Sequence, residues 1–141
     1  MKKHIHLGVA LFLAAASVAH ADPIGQWMSE PSDRGEGAGG YVVVDIKPCE
    51  ASSQELCGII VRTVDKDGQD VVEGYDGEMM LKDLKPNGEA KWSGGTIWAP
   101  DEGKTYNSKM TELGDGTLKV FGCLFKGMLC RGQIWKRVEG S

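Results

Sequence analysis

The stretch KWSGGTIWAPDEGKTYNSKMTELGDGTLKVFGCL, residues 91–124, decides the fold. It holds three runs of strand length, 91–98, 104–113 and 117–124, in which Thr, Ile, Val, Trp, Tyr and Phe recur. Glu102-Gly103 and Asp115-Gly116 separate them with the residue types that close hairpins. No 3.6-residue apolar period runs through the stretch, so three antiparallel strands are expected and no helix.

The same texture extends in both directions. Upstream, Val42, Val44 and Ile46 share one strand face. Asp45 and Lys47 take the other, which Tyr41 and Val43 keep partly apolar. Further strands are expected at 57–65 and 79–85, a short one around Trp27, and a last one at 130–138. Asp67-Gly68, Asp76-Gly77 and Pro86-Asn87-Gly88 supply more turns. About eight short strands in a meander predict an all-β domain, either a sandwich or an up-and-down barrel. Closure has the physical advantage of leaving no long exposed edge. The polar segment 32–40, with four glycines, reads as a mobile loop and a lip over a barrel mouth. It has no lysine, and Asp33 and Glu36 would repel a phosphate.

The amino terminus reads as a secretory signal. Lys2 and Lys3 precede an apolar run at 7–18, and Ala19-His20-Ala21 has the small-x-small pattern of a cleavage site. The expected domains are a signal peptide at 1–21 and one barrel domain at 22–141. Cleavage after Ala21 moves the formal charge from −4 to −6 and removes His4, His6 and His20, all the histidines present. A mature chain of this kind has no Ser-His-Asp or Cys-His machinery and no imidazole metal ligand. It holds 19 of the 20 glycines, which fits a protein of many tight turns. No other apolar stretch has the roughly 20 residues of a membrane helix. The acidic balance, without a basic cluster, excludes phosphate-driven nucleic-acid binding. A periplasmic or secreted location is expected.

All four cysteines survive cleavage. Cys49/Cys57 and Cys123/Cys130 each bracket a short loop between predicted strands, so disulfides are expected in these pairs. Spacings of eight and seven are wide for a thiolate zinc site, and neither is the Cys-x-x-Cys of a redox catalyst.

Other candidate chemistry has plain alternatives. The run at 65–70 lacks the third acid and the closing glutamate of a calcium loop and reads as an acidic turn. Asp76/Glu78 and Asp101/Glu102 are neighbouring acids at turns in a chain with 20. Ser93 has no histidine to activate it, and a Ser-Lys pair stays open. Met79-Met80 reads as core packing sooner than a soft-metal site. No cofactor, no metal and no enzymatic activity are expected.

The remaining signal is aromatic. Strict alternation puts Trp92 and Trp98 on one face, unless Gly94-Gly95 forms a bulge that turns one outward. With Tyr106 and Arg131 they make a candidate pocket for a small apolar, anionic or amphipathic ligand. The alternative packs Trp92 and Tyr106 inside and sets the arginines in an outer ionic ladder with Glu112. An envelope protein partner on the outer wall, around a filled interior, is the competing function.

Two resemblances sharpen the fold. Gly25-Gln26-Trp27 resembles the Gly-x-Trp that opens the first strand of lipocalins. That resemblance implies that Trp27 plugs a closed end and that a basic residue of the last strand, Arg137 best, lies across it. The spaced residues Trp92, Gly95, Ile97, Pro100, Gly103, Lys104 and Tyr106 are similar to the signature of the bacterial domain-of-unknown-function family numbered 2147. So are Leu118-Lys119-Val120-x-Gly122-Cys123 and Cys130-Arg131-x-Gln133-x-Trp135-x-Arg137. This resemblance covers essentially the whole mature chain and implies a small exported lipocalin-like β-barrel without an established activity. Phe121 and Gly132 depart from it, standing where more polar residues are expected.

Overall fold

The computed structural model describes residues 8–10 and 22–140. The expected cleavage site after Ala21 and all three histidines lie outside the described residues. Eight strands follow one another: β1 (Gly25–Met28), β2 (Tyr41–Pro48), β3 (Leu56–Val64), β4 (Met79–Pro86), β5 (Lys91–Ala99), β6 (Lys104–Glu112), β7 (Thr117–Leu124) and β8 (Leu129–Arg137). Each runs antiparallel to its neighbours, and β8 returns to β1 through Trp27↔Arg137 and Met28↔Lys136. The meander closes as a barrel, which pairs its terminal strands and excludes the sandwich. The only helical piece among the described residues is a 3-10 turn at Phe125–Gly127.

Alternation sorts the wall into two faces. Val42, Val44 and Ile46 turn inward and pack with Leu56, Ile60, Leu81, Leu84, Met110 and Leu118. Trp27 and Trp135, both fully buried, join them. The outer face carries exposed Lys47, Arg62, Lys82, Lys109, Lys119 and Lys136. A membrane-spanning barrel presents an apolar band to lipid, and this wall does not. No described helix is long and apolar enough to cross a membrane.

Two bulges bend the wall. On β3, Val44 pairs with Ile60 and Val43 with Arg62, leaving Val61 as the extra residue. On β5, Trp92 pairs with Met110 and Gly95 with Ser108, so three steps on β5 match two on β6. Gly94 takes φ +75° there, a conformation glycine adopts without penalty. The extra residue inverts the alternation. Trp92 stays on the Met110 face, whereas Trp98 pairs with Thr105 and turns outward, its ring edge-on to Tyr75 at 5.6 Å. One shared face for the two tryptophans is thus corrected by the bulge.

Both expected disulfides are formed. Cys49–Cys57 joins the β2 and β3 ends, and Cys123–Cys130 links directly opposed residues of β7 and β8. Each closes a short loop and removes about 2–3 kcal/mol of chain freedom from the unfolded state on the entropy argument. They lie at opposite ends of the barrel, so the four sulfurs do not converge on one ion. Phe121 and Gly132 are paired on the outer face. A Cβ at Gly132 would come within 3.0 Å of the Phe121 ring, which occupies the space the glycine leaves. Lys109 and Lys119 each lie 5.2 Å from that ring's centre.

Candidate functional site: a strapped cavity at the open end

The barrel has unequal ends. At the closed end the Arg137 guanidinium lies over the Trp27 ring at 4.3 Å. Trp27 Nε1 donates to the Pro23 carbonyl at 2.8 Å, and Arg137 donates to the carbonyls of Ile24 (2.8 Å) and Asp22 (2.5 Å). The segment before β1 is thereby drawn across the end, sealing the floor with an aromatic, its cation and satisfied polar groups. This is the plug implied by the Gly-x-Trp resemblance.

Above the packed core the upper end of the barrel opens toward the rim loops. A half-open pocket of about 1210 Å³ at the other end takes in the rim loops and the upper interior, where Ile97, Tyr106, Gly122, Gln133 and Arg131 line it above the buried Val42, Met80 and Val120. Side chains that would fill this half are missing from the sequence: Gly122 faces Ser108, and Ile97 stands where strict alternation would have put a tryptophan. Of the four expected pocket residues, Tyr106 and Arg131 line the cavity. Trp92 and Trp98 both pack against the core, Trp98 from the outward-turned side of the β5 bulge, and neither lines the cavity. Parity along β6 and β7 carried the signal for Val120 and Gly122, which sequence reading did not assign. The arginines form no outer ladder, since Arg131 faces the mouth and Arg137 the floor.

A polar strap crosses that mouth. The β1–β2 and β5–β6 connections lie four strands apart in an eight-strand barrel, on opposite sides of the rim. Even so, Ser32 Oγ in the first donates to Asp101 Oδ2 in the second at 2.8 Å, and Arg34 pairs with Glu102. Arg131 on β8 donates to Asp33 Oδ2 at 2.7 Å, and the Tyr106 hydroxyl donates to Glu102 Oε2 at 2.8 Å. At the strap's base Gly40 lies so close to β3 that a Cβ would meet the Val64 carbonyl at 2.7 Å. The expected lip is therefore present and tied at both sides. Asp101 and Glu102, one of the paired-acid candidates, are its anchors. Asp76 accepts from Thr63 Oγ1 at 2.7 Å, and Asp65 Oδ1 accepts the N–H groups of Asp67 and Gln69, both at 2.9 Å. These carboxylates hold turns.

The strap sets the local electrostatics. The hydrogen bond from Arg131 holds the Asp33 carboxyl below its ordinary range. The bond to Glu102 pushes the Tyr106 phenol above its own. A depressed carboxylate pKa means that the Asp33 link is fully present above the ordinary carboxylate range. It is lost as pH falls through the lowered value. For Tyr106 the sign reverses: its link holds below the ordinary phenol range and is lost as pH rises through the raised value. We expect Arg131→Ala to return the Asp33 titration upward, read by carboxyl-carbon NMR. An unchanged Asp33 midpoint would show that the link is not formed in solution. Around the mouth stand eight carboxylates (Glu30, Asp33, Glu36, Asp65, Asp67, Glu73, Asp101 and Glu102) and three cations (Arg34, Lys66 and Arg131), so the entrance is acidic.

Comparison with known proteins agrees with this architecture. Residues 25–137 match the family described as "Uncharacterized protein conserved in bacteria (DUF2147)". Among solved structures, the chain is similar to protein HP1028 from Helicobacter pylori, described as belonging to the lipocalin family. That match has 17% identity and a TM-score of 0.64 and covers 84% of each chain. At that identity the likeness speaks for the fold alone. No curated protein matches the chain. With the whole barrel, Gly25 to Arg137, inside the family match, the chain belongs to the DUF2147 family of uncharacterized bacterial proteins and carries its sequence on a lipocalin-like barrel.

Proposed function

We propose that the protein is an exported, non-enzymatic binder that holds a small apolar or amphipathic ligand in the open half of its barrel. The half-open pocket carries this reading: about 1210 Å³ in all, charged at its rim loops and floored by the apolar core. Clefts of this kind hold small molecules when a few polar groups fix their orientation, and Tyr106, Gln133 and Arg131 are placed to do so. The acidic mouth favours a neutral or cationic head over an anionic one, which narrows the sequence expectation. The two disulfides support an oxidising compartment. Non-enzymatic action is supported by the titrations: each shifted group, from Asp33 to Arg131, has a hydrogen-bond or ion-pair partner, at the surface or partly exposed, that accounts for it. The competing reading, an outer-wall interaction module, presupposed a filled interior, and the open pocket above the core weighs against it.

Titration with the neutral probe N-phenyl-1-naphthylamine tests the reading. The wild-type barrel is expected to bind the probe with a blue shift and enhanced emission. Gly122→Trp is designed to occupy the site. A Cβ at Gly122 would stand 3.5 Å from Ile97 and 3.6 Å from Tyr106, ordinary contact, so the new side chain has room to enter the cavity. The variant is expected to bind about tenfold more weakly or worse, a loss of about 1.4 kcal/mol or more. No binding by the wild type, or equal binding by a folded Gly122→Trp, would overturn the proposal.

A further inference from the structure

The rim of the barrel is divided between two kinds of loop. The strapped β1–β2 and β5–β6 connections are charged and span one diameter of the mouth. The β3–β4 and β7–β8 connections occupy the other diameter, also four strands apart, and both present apolar side chains to water. On the β7–β8 turn Phe125 is 74% exposed and Met128 87%, with Leu124 and Leu129 exposed beneath them. On the β3–β4 connection Val72 is 89% exposed. Scattered single hydrophobes on a surface need no explanation, but four large ones within six residues do.

The β7–β8 turn is built to hold them outward. Phe125, Lys126 and Gly127 all take positive φ (51°, 56° and 90°), which is costly for the first two and keeps the turn tight. Directly below, the Cys123–Cys130 bridge and the Leu124↔Leu129 pair clamp the two strands together. Cys130 Sγ also lies 3.3 Å from the Gly127 carbonyl. The result is a braced, exposed tip of Phe, Met and Leu carrying one lysine.

We propose that this tip docks the open end of the barrel on a lipid surface. Three observations favour lipid over a protein partner. Phe125 and Met128, the most exposed side chains of the tip, stand clear of the mouth pocket and project to water, so they form no groove with it for a partner helix or strand. Its composition is that of an interfacial anchor, with apolar side chains around Lys126, whose long stem lets the ammonium stay at headgroup level. The tip is also continuous with the cavity, because Leu124 and Leu129 line both, as does Val71 across the mouth. A ligand moving between bilayer and barrel along that side would keep apolar contact throughout. The acidic strap sets the kind of lipid: zwitterionic headgroups are accepted, and anionic ones are repelled by Asp33, Glu36 and Asp101. Docking needs no bound ligand and stands apart from the binding proposal.

The test is flotation with phosphatidylcholine vesicles. The closed barrel lies within Gly25–Arg137, so material beginning at Asp22 serves and avoids the apolar 7–18 run. The wild type is expected to float with the vesicles. The double variant F125S/M128S should reduce its partition at least tenfold, and Leu113→Ser, an exposed apolar residue at the opposite end, should change it less than twofold. In a Phe125→Trp variant, emission from the new indole should move to the blue on adding vesicles and be quenched by brominated acyl chains. No flotation of the wild type, flotation that survives the double variant, binding confined to anionic vesicles, or unshifted emission from the Phe125→Trp indole would each overturn the proposal.

Discussion

Trp27→Ala is expected to cost about 3–5 kcal/mol, among the largest losses a single truncation produces. The side chain is fully buried at the base of the core, so its removal leaves a void that the surrounding strands fill only in part. It also takes away the ring beneath the Arg137 guanidinium and the indole N–H that fixes the Pro23 carbonyl. Arg137 would then hold the segment at Asp22 and Ile24 with nothing under it, and β1, four residues long, has little else to secure it. For a domain of this size the loss lowers the melting temperature by roughly 10–25 °C. Trp98→Ala is the matched comparison, since Trp98 lies half-buried on the outer face. Its cost should be less than half as large. Thermal melts of the two variants showing equal losses would mean that Trp27 is not the plug.

Gly95→Ala is expected to be as severe for a different reason. A Cβ at Gly95 would lie 2.2 Å from the Lys82 carbonyl oxygen and 2.8 Å from the Leu84 nitrogen. Both are backbone atoms of β4, so no side chain can swing aside to relieve the overlap. β4 already accommodates the approach with Asp83 at φ 56°. The added methyl must push β4 away from β5, weakening the Lys82↔Thr96 pairing and the seating of Leu81 and Leu84 in the core. Overpacking of this kind costs about 1–3 kcal/mol where side chains give way, and more is expected where only backbone is available. Gly88→Ala, at an open turn where φ is +92°, carries the strain of a left-handed alanine but no steric overlap, and so sets the size of a glycine-freedom loss against the Gly95 clash. Denaturant unfolding should show Gly95→Ala several times more destabilising than Gly88→Ala. Equal effects would contradict the close approach.

The strand pattern was almost wholly legible because each strand has one buried face and a glycine-bearing turn at its end. Every strand was placed to within a residue or two, and both disulfides followed from where the cysteines flank the turns. Arg137 over Trp27 came through resemblance, since nothing in composition pairs residues so far apart along the chain. Periodicity failed at Gly94-Gly95. A bulge shifts the alternation by one residue, and the same letters serve a regular strand or a bulged one. That single uncertainty moved Trp98 from the pocket to the outer wall and put Ile97 in its place. Gly95 stood in the family signature, but its reason, contact with the backbone of another strand, is invisible along one chain. The strap was legible only as a glycine-rich polar loop. Its anchors, Asp101, Glu102 and Arg131, lie 68 to 98 residues from their partners. The open pocket above the core is the least legible feature of all, because it depends on side chains that are small where the barrel is wide.

The most direct test of the cavity as a ligand site is native mass spectrometry of the wild type and Gly122→Trp, each purified from the bacterium that makes it. Binding predicts a one-to-one mass excess on the wild type, an extractable small apolar or amphipathic molecule accounting for it, and its loss from the folded variant. Bare polypeptide mass for the wild type, with no molecule retained after incubation with its own cell's lipid extract, would contradict it.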